Sequence, residues 1–485
     1  MFGTLVHREL RGILASPRFV ATFAVCSLLV LLALASGTVQ YHAFQREQAS
    51  LSALTDQQLA EQTRWFALRP RALRAADPLQ VVASGVHLDT GRYSVVHPRE
   101  PVTLRQAVYE DDAILAVFRD LDLGFVLQVV VTLYALLLTH DAVSGERESG
   151  VLRLVLAHPV PRWKVLSAKV AGNLLGLGVP LLVALLLGWL ALLLVGVPLG
   201  GRDGLRFALV LAAGLLLFAF FVVFGLMISC LTRRPAISFL VALAVWIGMV
   251  LVLPRLGLLL AGEMVPVPTA AEMDSERAGI EREMLGKEEA ATSARWVARR
   301  REVMAQPELA RQAYEDEKLW GWMQEDETAR QEALTAIDAF GARLEERVRN
   351  LRRRQERLAL GLAAWTPPAA FRTVSVAVAS TDVELGARYT GAIEAYREEV
   401  RRFLLAQDPA AGAFTVRVEN GQNAVRRGDE GTKPLDLSGL PRFAPPAVSL
   451  GALLREALAP LSLLLAGSLA AFGVATLAFA RYDAR

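Results

Sequence analysis

Cysteine is nearly missing from this chain. Cys26 and Cys230 are the two present in 485 residues, too few for a disulfide scaffold or a cysteine-rich zinc module. A net charge is missing as well. The 52 Lys plus Arg stand against 49 Asp plus Glu, a formal +3, which leaves no electrostatic footprint for nucleic acid. No phosphate-binding loop GxxxxGK[ST] occurs, and the nearest string, Leu285-Gly286-Lys287-Glu288, has the wrong spacing and no Ser or Thr for magnesium. HExxH, CxxC and GxSxG are also absent. The six histidines (His7, His42, His87, His97, His140, His158) are scattered, and His87 with His97 has no third ligand in view. The polypeptide is therefore not expected to hydrolyse ATP or to run covalent catalysis by itself. What it has is apolar surface: 53% hydrophobic and 21% charged residues, a mean hydropathy of +0.36, and charge concentrated in the region 261–450. That distribution describes a membrane protein with a large water-exposed insert.

Crossing about 30 Å of hydrocarbon takes roughly 20 apolar residues in a helix. Six segments qualify: 19–39, 123–139 (short, with Gln128 and Thr132), 170–195, 207–231, 236–261 and 458–480. Runs this continuous satisfy their backbone in lipid only as helices. The fold class expected is an all-α polytopic membrane protein with two extracytoplasmic inserts, 40–120 and 262–450, the larger mainly helical. Arg8, Arg11, Arg18, Arg147, Arg153, Arg162, Lys164, Lys169, Arg233, Arg234, Arg481 and Arg485 fall on one side of these spans, which places both termini in the cytoplasm by the positive-inside rule. Arg18, Trp163, Lys164 and Arg481 are the expected anchors at the headgroups. The first span reads as an uncleaved signal-anchor rather than a cleavable signal peptide, and no lipobox precedes Cys26. Arg255, after Pro254, is the clearest ionisable group within a span, with snorkelling to the interface as its simplest role.

Outside the spans, residues 1–16 place Phe2, Leu5, Val6, Leu10 and Ile13 on one helical face, which predicts an amphipathic interfacial helix broken at Pro17. Residues 270–360 read as long helices rich in Glu, Arg, Ala and Gln, interrupted at Pro307. A buried seam is expected at Leu319, Trp322, Leu334, Ile337, Phe340, Leu344, Val348 and Leu351. Trp365-Thr366-Pro367-Pro368 closes that stretch. A further helix is expected over 382–405 and a short strand over 413–418.

The loop 140–169 is the most informative part of the chain. It predicts a short helix over 149–157 with acidic residues near its start, which suits the helix dipole. Pro159 and Pro161 end it, and Arg162, Trp163 and Lys164 anchor the next span. A short rigid helix on the membrane surface can dock in a partner's groove and move two spans at once. In this loop Glu146, Glu148, Gly150, Leu152, Pro159, Val160, Arg162 and Lys169 resemble the pattern of the ABC-2 type permeases, with Val151 where Thr is usual. The insert string Trp365-Thr366-Pro367-Pro368-Ala369-Ala370-Phe371, then Thr381-Asp382 and Glu394-Ala395-Tyr396-Arg397, is similar to the DUF3526-containing subgroup.

The resemblance implies a permease subunit with no catalysis of its own, working with two copies of a cytoplasmic ATPase that carry the ATP and Mg. A second permease subunit, identical or homologous, would complete the assembly in a bacterial cytoplasmic (inner) membrane. Segment 141–165 would then be the coupling helix, with Glu146, Glu148, Gly150, Leu152, Leu154, Pro159 and Arg162 meeting the ATPase. The implied activity is export of a hydrophobic or amphipathic substrate. The alternative is transmission of ATP-driven movement to a periplasmic protein without solute transport. Small residues such as Gly172 with Gly176, and Gly467 with Ala471, permit close helix approach against either the partner or the chain's own bundle.

Overall fold

A computed structural model describes residues 2–87, 90–97, 102–105, 122–158, 160–305, 318–407, 414–419, 422–427 and 435–481. Pro159, Pro307, residue 413 and Arg485 lie outside them, as do the side chains of Arg18 and Leu319. Among the described residues, six helices are long and apolar enough to cross a membrane.

Helix α1 (Phe2–Leu14) is separated from α2 (Pro17–Ala60) by a break at Ser16, whose hydroxyl accepts from the Phe19 amide at 3.1 Å while Pro17 takes the first helical position. α2 continues far beyond residue 39, because nothing from Thr38 to Gln58 breaks a helix once the apolar run ends. α3 (residues 123–139) includes a π-helical stretch, Val126–Val131. Two short helices follow, α4 (Ser144–Glu148) and α5 (Val151–Leu156). Then come α6 (Arg162–Leu194), α7 (Gly201–Leu231) and α8 (Pro235–Met264).

Residues 256–362 form a separate compact unit. It consists chiefly of α9 (Ala270–Ala305) and α10 (Lys318–Ala363). Asp326 accepts from Arg295 Nε and from Arg299 Nη1, each at 2.8 Å, and the Arg299 guanidinium lies over the rings of both Trp296 and Trp322. Of the expected seam, Ile337, Leu344 and Val348 are buried and Leu334 is exposed.

The remaining elements belong to the first unit, so the expected insert 262–450 is divided: residues from 363 onward fold with the spans. α11 (Pro367–Val378) is a helix where the expectation was only the end of one. Thr366 accepts from the Ala369 amide and Pro367 sits at the first turn, so the Thr-Pro-Pro string is a helix start rather than a stop. Apart from Thr373, every residue of α11 is buried, and the helix packs against α7 and α13 (Leu450–Ala480). At twelve residues it is a core helix and not a span.

α12 (Leu385–Gln407) joins Leu68, Ala72, Val86 and Val96 of the first insert in a second small core, through Tyr389, Ile393, Tyr396 and Val400. In that insert, β1 (Arg71–Leu73) pairs antiparallel with β2 (Tyr93–Val95). β3 (Phe414–Glu419) pairs with β4 (Gln422–Arg427), the second strand of a hairpin of which one strand was expected.

Buried ion pairs hold the bundle at the end away from the termini. Asp122 and Arg372 are 5% exposed each and meet at 2.7 Å, while Asp122 also accepts from the Ser84 and Phe125 amides. Arg206, 6% exposed, binds the Val378 carbonyl that ends α11 at 2.8 Å, Asp77 at 2.9 Å and Asp203 at 3.2 Å. Gly85 has φ +50°, and a Cβ there would lie 2.1 Å from the Thr381 carbonyl oxygen, so this crossing of the two inserts requires glycine. Arg255 is exposed.

Candidate functional site

At the end that carries the N-terminus, the loop between α3 and α6 is bolted down through its backbone. The Val143 and Ser144 amides donate to Ser229 Oγ at 3.0 and 2.9 Å, and Ser238 Oγ donates to the His140 carbonyl at 2.5 Å. Arg147 Nη1 donates to the Thr232 carbonyl at 2.9 Å. These bonds tie the start of the loop to the corner between α7 and α8. Its far end is tied as well, since Arg162 Nη1 donates to the Ala480 carbonyl at the end of α13.

The helix expected over 149–157 is α5, shorter at both ends, and a second helix, α4, precedes it. Gly150 has φ +77° with open space around its α-carbon, so the bend needs its backbone freedom and not its small size. Glu146 and Glu148 therefore belong to α4, before the bend, and Glu146 lies in the first turn of α4 rather than of α5. Glu146 instead lies 2.9 Å from Lys169 Nζ and 3.3 Å from Arg8. Lys169, 2% exposed, also lies 2.9 Å from Glu9. A buried ammonium needs this much countercharge. Two carboxylates on separate elements surround it, so α1, α4 and α6 meet at one side chain.

Lys169 was visible in the sequence as part of the loop pattern and of the basic residues on one side of the spans. The structure starts α6 at Arg162 rather than 170, which puts Lys169 two turns inside a helix and against α1. Glu9, the lone acidic residue of α1, was the available signal. Gly172 and Gly176 complete the seat: a Cβ on Gly172 would approach Glu9 Cβ to 2.6 Å, and one on Gly176 would touch Ile13 at 3.3 Å. These small residues thus receive the chain's own α1, and Gly467 receives Phe220.

The other expected site residues divide by exposure. Leu152 is fully buried and fastens α5 to the core, whereas Leu154 is 69% exposed and Glu148 faces solvent. Trp163 is 56% exposed, with Lys164 Nζ 5.6 Å from its ring centre. Arg481 caps the end of α13. Between α1 and α5 lies an apolar groove of about 460 Å³, lined by Leu5, Arg8, Val151, Leu154, Val155 and Val165 among others. Chemically the site offers a charge cluster and an apolar surface. It is a surface helix with a free face, joined through a buried charge cluster to two membrane-facing helices.

A polytopic helical membrane protein with such a loop has a family to match. Residues 4–298 match the family described as ABC-2 family transporter protein, and residues 287–414 match a domain of unknown function, DUF3526. The chain belongs to the ABC-2 transporter family and carries a DUF3526 region. It is also similar to the probable ABC transporter permease protein NosY of Stutzerimonas stutzeri, at 34% identity over 129 residues, 25% of this chain. The match spans 45% of that relative's length.

Proposed function

We propose that the chain is the permease subunit of an ATP-binding cassette transporter, with α5 as the helix that takes up the stroke of a separate cytoplasmic ATPase. The observation that carries this reading is the Lys169 cluster. A push on the exposed face of α5 passes through Gly150 to α4, and Glu146 hands it to Lys169 on α6 and to Arg8 on α1. Leu154, Arg153 and the groove beside α1 offer the partner an apolar anchor with a basic rim. Glu148, on the solvent side of α4, stands ready for a second polar contact.

ATP and Mg belong on the partner chains, two copies of which would pair with two permease subunits, identical or homologous. Apolar side chains along α8 and α13, such as Leu240, Leu259, Leu458 and Leu469, are exposed in the single chain and would meet lipid or that second subunit. Both termini, α1 and α5 would face the cytoplasm of a bacterial inner membrane, with the two inserts outside. A hydrophobic or amphipathic compound is the substrate class that fits the apolar bundle. Crosslinking from a cysteine at position 154 in membranes tests the reading: capture of an ATP-hydrolysing chain is expected, and labelling of that position from outside intact cells would overturn it.

A second reading is motivated by residues 256–362, a compact unit rich in charged helix surface. There the same stroke would act on an extracytoplasmic partner protein without moving a solute. Accumulation of a compound in proteoliposomes favours the first reading. ATPase activity that rises only when an external protein is added favours the second.

A further inference from the structure

At the end of the bundle opposite the α4–α5 loop, the first insert, the first turns of α7 and the residues after α11 enclose a polar cavity of about 190 Å³. This far exceeds the roughly 10–15 Å³ that one water needs. Its lining includes Arg74, Gln80, His87, Arg202, Arg206 and Arg388. Two of these arginines have their countercharges, Arg206 with Asp77 and Asp203 and Arg388 with Asp382. The other two have no carboxylate within 4.0 Å among the described residues. Arg202 is exposed and donates to the Val448 carbonyl. Arg74 is only 4% exposed, with Nη2 2.5 Å from the His87 carbonyl oxygen and its guanidinium 4.9 Å from the Phe44 ring centre. Neither neighbour carries a negative charge, and a buried cation without one is strongly unfavourable.

Three buried polar atoms on this lining lack a hydrogen-bond partner among the described residues: Arg74 Nε, Gln80 Nε2 and His87 Nε2. The residues are 4%, 4% and 1% exposed. The His87 tautomer follows from chemistry. Its Nδ1 lies 2.7 Å from the Ser84 carbonyl oxygen, which can only accept, so the hydrogen is on Nδ1 and Nε2 keeps a lone pair. The orphans are thus two donors, one of them charged, and one acceptor.

We propose that this cavity binds one phosphate-type oxyanion, whose charge neutralises Arg74 with help from Arg202. Its oxygens accept from Arg74 and Gln80, and a hydroxyl carried by the ligand donates to His87 Nε2. Arg202 and Arg206 lie in the first two turns of a candidate span, at the level where headgroups meet such a helix. The oxyanion is either free phosphate or the phosphoglycerol headgroup of an anionic lipid, which present the same chemistry.

The test uses the full chain in nanodiscs of pure phosphatidylcholine, with thermal unfolding followed as inorganic phosphate replaces chloride at constant ionic strength. A parallel arm replaces part of the lipid with phosphatidylglycerol, and native mass spectrometry counts retained lipid or phosphate in both. A saturable rise in Tm with phosphate assigns the free ion, and a rise with phosphatidylglycerol alone assigns the headgroup. Arg74→Gln is expected to weaken binding about tenfold or more, the loss expected for a charge-assisted hydrogen bond. Because that variant also alters a buried residue, Gln80→Glu provides the second probe. It installs a carboxylate in the cavity, keeps Tm at or above that of the parent, and abolishes the response to either ligand. No saturable response in either arm, or an undiminished one in Gln80→Glu, overturns the proposal.

Discussion

Ion pairs tie both ends of the helical bundle, but the two ties differ in burial and in what they join. At the far end, Asp122 and Arg372 are both sealed from water, and Arg206 is sealed beside them. These pairs weld the first insert, α7 and α11 into one cap. At the end bearing α1, the cation Lys169 is buried, yet the side chains of Glu9 and Glu146 remain 18% exposed and Arg8 lies 48% exposed. The first arrangement is costly to open. The second holds three helices together while leaving its carboxylates within reach of water. A bundle that must rearrange at one end and stay closed at the other would be built this way.

The comparison breaks most sharply at Arg372. Arg372→Ala strands the Asp122 charge in the core and should cost about 3–5 kcal/mol in denaturant unfolding of the purified protein. The double change Asp122→Leu with Arg372→Leu should recover part of that loss, since the amide bonds to Asp122 are still forfeited. Acid sharpens the contrast next. Burial first, and then the charge of Arg74, push His87 down from 6.5 to about 4. A depressed histidine leaves stability intact above pH 6.5. As pH falls from 6.5 toward 4 the unfolded chain takes up the proton first, so about 2–3 kcal/mol should drain away over that window. His87→Gln should flatten that part of the pH profile.

Lys169→Met should cost less stability than Arg372→Ala, about 2 kcal/mol, because the two carboxylates it leaves can turn to water. Its effect on coupling should be larger than its effect on folding: α1 becomes sensitive to limited proteolysis, and stimulation of the partner ATPase falls. A Lys169 variant with full stimulation and a protected α1 would remove the cluster from the proposed mechanism. The smallest effect is expected at Gly150. Gly150→Ala forces an L-residue into the left-handed region at about 1–2 kcal/mol, and should misdirect α5 enough to lower crosslinking from position 154 while lowering Tm by no more than a few degrees.

Much of the bundle was legible because lipid-spanning helices are written as long apolar runs, and Pro17 announced the break after α1. The α4–α5 loop was legible as a pattern, but only in part as a geometry. Glu146 stood out beside Glu148, yet nothing local distinguishes a carboxylate turned inward to Lys169 from one turned to solvent. The reading failed at α11 for a specific reason. Pro367 and Pro368 read as a stop, while Thr366 before them supplies a helix cap, and a twelve-residue stretch interrupted by Arg372, Thr373 and Ser375 carries too little periodic signal to outweigh the prolines. Tyr389 and Tyr396 pack with Leu68 and Val86 across some 300 residues of chain, a pairing with no local cue.

By itself the amino-acid sequence determined the six apolar helices and the amphipathic α1, since each depends on composition and spacing within one segment. Only the tertiary structure decided where the charges go: Lys169 between Glu9 and Glu146, Arg372 on Asp122, and Arg74 with no carboxylate beside it among the described residues. The reason is physical. The free energy of a buried charge depends on neighbours brought in from distant segments and on the water they exclude, and neither is recorded at the residue's own position in the chain.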